Sequence, residues 1–260
     1  MAKRLLLLSY FWPPHGGAGV QRALKLVKAA SDFGWSVQVI GSTTHGKDKA
    51  DQSLLSQVPD STQVVRVDHP RTTLFGGWFT QWLTPDSYLT WHGPALDAAR
   101  RLIAEHRPDA IMSTSMPYTA HRVARVLRRE TGIPWLADLR DPWTANRFLL
   151  CYQGWRPAAI WRRWIDARLE RQVYDAVDMV SVTAGPLKTL LVDRWGLPSE
   201  RVVVARNGYD ETDFANVLPM PGEQPSTIET PAPGAEMRVL FAGHMYLGYT
   251  IEPFFAAWQR

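Results

Sequence analysis

The first forty residues constrain the fold more than any other part of the chain. An apolar run, Leu5–Leu8, leads into a loop with glycines at positions 16, 17 and 19, then into a helix-like segment, Val20–Phe33, and a second apolar run, Trp35–Ile40. These are the parts of a βαβ unit, whose turn favours anions because backbone amides and the positive helix end meet there. Such a turn also serves as a plain tight reversal, and its spacing is not G-x-G-x-x-G.

The same alternation continues along the chain. Apolar periodicity predicts five more strands, at Thr62–Asp68, Asp109–Ser115, Pro134–Leu139, Asp178–Thr183 and Arg201–Ala205. Helical patterns separate most of them, at Trp91–His106, Tyr118–Glu130, Ala158–Tyr174 and Pro186–Trp195. Strands that alternate with helices predict an α/β fold with a doubly wound parallel sheet.

Composition narrows the class further. The chain has 260 residues, 45% of them hydrophobic, which is enough for one large core or two modest ones. The single cysteine, Cys151, excludes an internal disulfide framework and suits a reducing cytoplasm. The seven histidines show no paired spacing, so no metal is expected. The opening apolar run ends at Ser9, too early for a signal peptide. We expect a cytoplasmic protein, soluble or attached to the inner face of the membrane.

A change of composition marks the end of the first domain. Five prolines lie between Leu218 and Glu236, which is typical of a linker, and a new strand, Met237–Ala242, and helix, Ile251–Arg260, follow. One such unit is too small to bury its own core. We therefore expect a Rossmann-like domain at 1–214, a linker at 215–236 and the opening of a second, incomplete domain at 237–260. That last segment should be the least stable, and the linker the first site of proteolysis.

The order of motifs resembles the N-terminal half of family 4 glycosyltransferases, retaining enzymes with two facing Rossmann-like domains (the GT-B fold). The resemblance extends over about residues 4 to 260. It rests on Pro13-Pro14-His15-Gly16-Gly17 followed by Arg22, Gly34-Trp35-Ser36-Val37-Gln38-Val39, Asp138-Leu139-Arg140-Asp141-Pro142-Trp143, Val203 to Asp210 with Phe214, and Phe241-Ala242-Gly243-His244. The D-L-R-D-P-W segment is similar to transferases that build bacterial surface polysaccharides.

The resemblance implies a set of ligand contacts. Gly16 and Gly17, with Gly19, Arg22 and His244, would lie against the diphosphate of a nucleotide-sugar donor, and backbone amides would stabilise the leaving group without a metal. Ser115, Trp143 and Asn207 would contact the donor sugar or the acceptor. Many members carry a histidine after the fourth strand. This chain has Ser113-Thr114-Ser115 there, and we expect His121, one helical turn further on, to lie on a solvated face.

A charged cluster follows the fifth strand, where open α/β sheets bind ligands. Asp138, Arg140 and Asp141 can orient an acceptor hydroxyl and share its proton, or they can brace the loop by ion pairing. Of these two roles, we expect the catalytic one for all three residues. The family's donor domain supplies an Arg, a Lys and a pair of Glu residues, which the stretch up to Arg260 does not contain. We therefore expect no transfer of sugar by this chain alone.

Basic and aromatic residues concentrate in one zone. Between Arg122 and Gln172 there are eleven arginines and five acidic residues, and Trp155-Arg156 and Trp161-Arg162-Arg163-Trp164 interleave the two types. Such a helix suits a surface of anionic lipid headgroups, and the apolar stretch from Leu74 to Leu83 suits a lipid-linked acceptor. Alternatively, both stretches pack on the sheet. No nucleic-acid-binding module is present, so no nucleic-acid partner is expected.

Two other functions use the same fold class. A nicotinamide-dependent oxidoreductase would need a G-x-G-x-x-G turn and an acidic residue at the end of the second strand, which here reads Val39-Ile40-Gly41-Ser42. A non-catalytic fragment or binding domain that another chain completes would need no catalytic residue. The sequence therefore favours transfer from a nucleotide sugar to a lipid-linked or polysaccharide acceptor.

Overall fold

A computed structural model describes residues 3–44, 50–69, 86, 88–146, 157–214 and 250–258 of the chain. The chain separates into two compact units, Met1–Asp210 and Glu211–Arg260. The linker segment Leu218–Glu236, the strand expected at Met237–Ala242 and His244 lie outside the described residues, as does the apolar stretch from Leu74 to Leu83.

The first unit alternates strands and helices in the predicted order. The strands are β1 Lys3–Leu8, β2 Trp35–Ser42, β3 Gln63–Val67, β4 Ala110–Thr114, β5 Trp135–Leu139, β6 Met179–Val182 and β7 Val202–Val204. The helices are α1 Ala18–Ala30, α2 His92–Glu105, α3 Thr119–Thr131, α4 Pro157–Tyr174 and α5 Gly185–Trp195. Short 3-10 helices occupy Ser31–Phe33, Gln52–Gln57, Leu89–Trp91 and Ser199–Arg201. Glycines in the left-handed region follow several helices, as at Gly132 with φ 70°.

All seven strands form one parallel sheet in the order β3-β2-β1-β4-β5-β6-β7. This confirms the predicted doubly wound α/β fold. The strand order reverses between β1 and β4, because the chain builds outward from β1 in one direction and from β4 in the other. Ligands of open α/β sheets bind beside the carboxyl ends of the strands at such a reversal. The segments that follow β1, β4 and β5 therefore define the place to search for a site.

Alternation along β1 divides the core into two layers. Leu6 and Leu8 join one buried cluster, which also contains residues of α2, α3 and α5. Leu7 joins the other, with Val20 and Leu24 of α1. Because successive side chains of a strand point to opposite faces, the leucine run covers both sides of the sheet. Helix α1 is thus fixed over β1 and β2, with its first turn at the carboxyl edge.

The second unit contains a 3-10 helix, Glu211–Phe214, and one α-helix, α6, at Glu252–Trp258. The large side chains of α6 are half exposed, at 45% for Phe254, 52% for Phe255 and 49% for Trp258. Nowhere in the described ranges is there a helix of the length and apolar content that a membrane span requires.

Candidate functional site

Helix α1 begins at the carboxyl edge of the sheet with its first turn uncapped. Gly17 precedes the helix with φ 94°, a left-handed backbone conformation that L side chains rarely adopt. No side chain caps the helix, and its first turn carries no acidic residue. A Cβ at Gly17 would meet no atom within 4 Å, so the space in front of the turn is open. The amides and the positive helix end are therefore available to an anion.

Arg140 holds this turn against the segment that follows β4. Its Nη1 donates to the carbonyl of Gly19 at 2.7 Å, and its Nη2 donates to the carbonyl of Met116 at 3.3 Å. Its Nε donates to the carbonyl of Ser115. Burial lowers the pKa of Arg140, against the opposing charges of Asp138 and Asp141. The guanidinium thus fixes the first turn of α1, with donors left over for a ligand.

Asp138 is the centre of a buried hydrogen-bond network. Only 1% of the residue is exposed, and its Oδ1 accepts from Arg22 Nη2 at 2.7 Å and from Ser181 Oγ at 2.7 Å. Its Oδ2 accepts from Arg22 Nε at 2.9 Å and from Thr114 Oγ1 at 3.0 Å. Burial alone would raise the pKa of Asp138, but the hydrogen bonds and charge of Arg22 outweigh it and lower the pKa. The carboxylate stays ionised and has its lone pairs occupied.

The same arginine reaches the segment after β7. Arg22 Nη1 donates to Asn207 Oδ1 at 3.0 Å. Further along α1, Lys25 and Lys28 donate to Asp210 Oδ2 at 3.0 and 2.7 Å. Basic residues three positions apart share one face of a helix. This face therefore ties the turn at the start of α1 to residues 205–210.

Two of the predicted contact residues lie below the surface. Ser115 is fully buried and bonds the backbone around Asp138 and Arg140, its Oγ donating to the Asp138 carbonyl at 3.3 Å. Trp143 is 1% exposed and stacks on Tyr118, with ring centroids 4.4 Å apart. Both support the loop from beneath and offer no surface to a ligand in this structure. Asp141, by contrast, is exposed at the same edge.

The expectation that His121 lies on a solvated face is wrong. The residue is fully buried, its Nδ1 pairs with Ser113 Oγ at 2.7 Å, and that hydroxyl also accepts from Trp135 Nε1 at 2.8 Å. Burial lowers the pKa of His121 to about 4, so the ring is neutral at pH 7. Within the described residues its Nε2 has no hydrogen-bond partner. His121 lies on the inward face of α3, and its hydrogen bond with Ser113 offsets the cost of burying the ring.

The structure also adds residues that the sequence reasoning missed. Thr114 and Ser181 donate hydrogen bonds to the Asp138 carboxylate. Lys25 and Lys28, on the same face of α1 as Arg22, form ion pairs with Asp210. A signal for the first pair was present, because both lie at the ends of strands that flank β5. The three-residue spacing of positions 22, 25 and 28 was a signal for the second.

The end of β2 excludes the acidic contact of a dinucleotide-binding site. A Cβ at Gly41 would lie 2.9 Å from the Cβ of Trp12, so that position has room only for glycine. Ser42 is buried, and its Oγ pairs with His15 Nε2 at 3.0 Å. In place of the carboxylate that binds a ribose 2′-hydroxyl, this position has a serine whose hydroxyl is already hydrogen-bonded. The oxidoreductase alternative therefore has no support at this strand.

The sequence profile of the glycosyl transferase 4-like domain matches residues 16–208, which include the turn, Arg22, Asp138, Arg140 and Asn207. The chain belongs to this family. No curated protein matches the sequence at a significant level.

Solved glycosyltransferases share the architecture. Sucrose-phosphate synthase from Thermosynechococcus elongatus matches with a TM-score of 0.56 and 16% identity, over 81% of this chain and 49% of that one. Apo UGT2 of Phytolacca americana matches with a TM-score of 0.53 and 16% identity, over 80% of this chain and 52% of that one. The chain therefore spans about half the length of these structures, and at such identity the likeness shows the fold alone.

Proposed function

We propose that this chain is the acceptor-side half of a retaining glycosyltransferase of hexosyl type. The enzyme would transfer a sugar from a nucleotide-sugar donor to a lipid-linked or polysaccharide acceptor in cell-envelope polysaccharide synthesis. Family membership supports glycosyl transfer, and the D-L-R-D-P-W segment supports the polysaccharide class. The Phytolacca americana UGT2 structure with UDP-2-fluoro-glucose and pterostilbene, at a TM-score of 0.50, supports a nucleotide-sugar donor.

The observation that carries the proposal is the open first turn of α1. Gly17 holds it in a left-handed conformation without a side chain, no carboxylate competes for it, and Arg140 fixes its position. The charge that grows on a leaving nucleoside diphosphate would be met by preorganised amides, and such donors are worth about a hundredfold in rate or more. This chemistry needs no metal and no cofactor, and the nucleotide sugar is a substrate.

The two aspartates of the charged cluster after β5 would have different roles. Asp138 is saturated by Arg22, Ser181 and Thr114 and acts as a brace. Asp141 is exposed beside it, and its carboxylate would orient the acceptor hydroxyl. Geometry thus favours bracing for the first aspartate and acceptor contact for the second, whereas the sequence left both roles open for both.

The proposed enzyme would need a second domain for the donor. We propose a linker at about residues 215–236, with residues 237–260 opening the donor-side domain. We place the protein in the cytoplasm, at the inner face of the membrane where a lipid-linked acceptor would lie.

A nuclear magnetic resonance titration tests the proposal on the chain itself. UDP should shift the amide resonances of Gly16, Gly17, Ala18 and Gly19, whereas uridine, which has no diphosphate, should leave them unchanged; NAD is titrated in parallel. Gly17→Val should remove the response, because the side chain enters the open space and the backbone is strained.

Gly34→Val is the matched control. Gly34 has φ 74° and open space around its Cβ, but it lies at the other end of the α1 segment. This variant should keep the response to UDP. Shifts caused by NAD and not by UDP would overturn the proposal in favour of an oxidoreductase, and no shifts with either would show that the turn at the start of α1 is only structural.

A further inference from the structure

Helix α4 presents its aromatic residues to solvent. Trp161 is 68% exposed, Trp164 is 58% exposed and Ile165 is 36% exposed, and Arg168 continues the same stripe. Positions spaced by three and four residues line one face of a helix, and an apolar stripe with this spacing normally packs on the core. The alternative that these tryptophans pack on the sheet is therefore wrong. An exposed apolar stripe of this kind marks an interaction surface.

The acidic residues of α4 point the other way. Glu170 is 1% exposed and accepts from the Thr144 amide at 3.1 Å and the Tyr174 hydroxyl at 2.9 Å. Asp166 is 8% exposed and lies 3.8 Å from Arg162. The helix thus buries both of its acidic residues, whereas Arg163, Arg168 and Arg171 are exposed.

We define the outer face of α4 as Trp161, Trp164, Ile165 and Arg168. The two indoles meet edge to face with centroids 6.1 Å apart, and the Arg168 guanidinium lies 6.0 Å from the ring of Trp164. No acidic residue of α4 is exposed on this face. The face therefore combines two indole rings with the guanidinium of Arg168.

An open groove of about 430 Å³ borders the outer face. It is lined by Trp164, Ala167, Arg168, Arg171, Gln172 and Asp175. Asp175 is paired with Arg171 at 2.8 Å, which leaves the Arg168 charge for an anion. A phosphate group beside an indole fits this lining, because arginine binds phosphate through its planar fork of donors.

We infer that the outer face of α4 docks on a bilayer that carries anionic lipids, with the groove receiving a lipid phosphate. Indole rings favour the boundary between headgroups and acyl chains, and arginines favour the negative surface potential. A second copy of the chain is a poor occupant, because a two-fold contact would bring the same positive face against itself. The inference rests on the proposed function in one respect: docking on the membrane would bring the enzyme to its lipid-linked acceptor.

Vesicle flotation tests the inference with the whole chain. The protein should float with phosphatidylcholine vesicles that contain about a third phosphatidylglycerol, and it should not float with pure phosphatidylcholine. High ionic strength should weaken the binding by screening. Trp161→Ser with Trp164→Ser, and separately Arg168→Glu, should each lower binding about tenfold or more.

Phe33→Ser with Arg101→Glu is the matched control, since it removes one exposed ring, 79% accessible, and one exposed arginine elsewhere on the surface. It should bind vesicles as the unchanged protein does. All variants are compared by thermal unfolding, because these side chains are exposed and should not alter Tm by more than a few degrees.

Three outcomes overturn the inference: no flotation with anionic vesicles, equal flotation of the α4 variants and the control, or self-association that the tryptophan variant abolishes without any vesicle binding. The UDP titration is run on the same variants. An intact response to UDP with lost flotation in the α4 variants supports both proposals, whereas flotation without any response to UDP preserves the docking surface and contradicts the assignment of the α1 turn as a diphosphate contact.

Discussion

Helices α1 and α4 distribute their charges in opposite ways. The basic residues of α1 point toward the protein, where Arg22 meets Asp138 and Asn207, and Lys25 and Lys28 meet Asp210. Helix α4 turns its acidic residues inward and leaves arginines and tryptophans outside. Charges of the first kind fix the geometry of a site, whereas charges of the second kind remain available to a partner. Helix α1 therefore belongs to the proposed diphosphate site, and helix α4 to the proposed membrane-docking surface.

The largest expected effect comes from breaking the buried ion pair between Arg22 of α1 and Asp138. Asp138→Asn should lower the free energy of unfolding by about 3 kcal/mol, because Arg22 keeps its charge in a mostly buried place without a counterion. Chemical denaturation measures the change. Asp97→Asn, at an exposed pair with Arg100, is the control and should cost less than about 0.5 kcal/mol.

The pH dependence of the Asp138 effect has a definite sign. The pKa of Asp138 is lowered in the folded state, so its stabilisation is present above the ordinary value of about 4 and is lost as the pH falls through the lower folded pKa. The difference between the unchanged protein and Asp138→Asn should therefore shrink at acidic pH. A difference that is constant with pH would contradict the pairing.

The next effect tests the turn at the start of α1. In a protein that carries this domain together with a donor domain, Gly17→Val should slow sugar transfer about a hundredfold, through lost contact with the diphosphate. Gly34→Val imposes similar backbone strain away from the site and should leave the rate near normal. Equal rates for the two variants would show that the turn is only structural.

A smaller effect is expected beneath the outer face of α4. Burial raises the pKa of Asp166 to about 6, so this carboxylate binds a proton more readily in the folded protein than in the unfolded chain. Stability should therefore decrease as the pH rises from about 4 to about 6. Asp166→Asn should remove that slope and stabilise the protein at pH 7 by about 1 kcal/mol, after allowance for solvent screening. Unfolding curves at several pH values measure it.

The smallest effect concerns the far end of the α1 contacts. Asp210→Asn should cost about 1 kcal/mol or less, because its ion pairs with Lys25 and Lys28 are partly exposed. Amide hydrogen exchange should nevertheless become faster in residues 205–210, which lose their tie to the helix. Unchanged exchange there would mean that Asn207 and Arg22 alone hold the segment.

Prediction from sequence succeeded where the signal is local. Short apolar runs and apolar periodicity marked all seven strands of the sheet, because such patterns act within a few residues. The site was predicted only in part. Arg22, Asp138, Arg140 and Asn207 were each singled out, and the structure brings them together. Which of them braces and which remains free could not be read from their order.

The sequence by itself determined the fold class, the order of elements and the open glycine turn, since each depends on residue type at short spacing. Only the tertiary structure decided that Asp138 pairs with Arg22, 116 positions away, that His121 and Trp143 are buried, and that Trp161 and Trp164 are not. Helix α4 carries large side chains and charges on both of its faces. The Thr144 amide, 26 positions away along the chain, donates to the Glu170 carboxylate in the interior and so stabilises the burial of that face. Such long-range partners are set by strand order and helix packing, which no local pattern specifies.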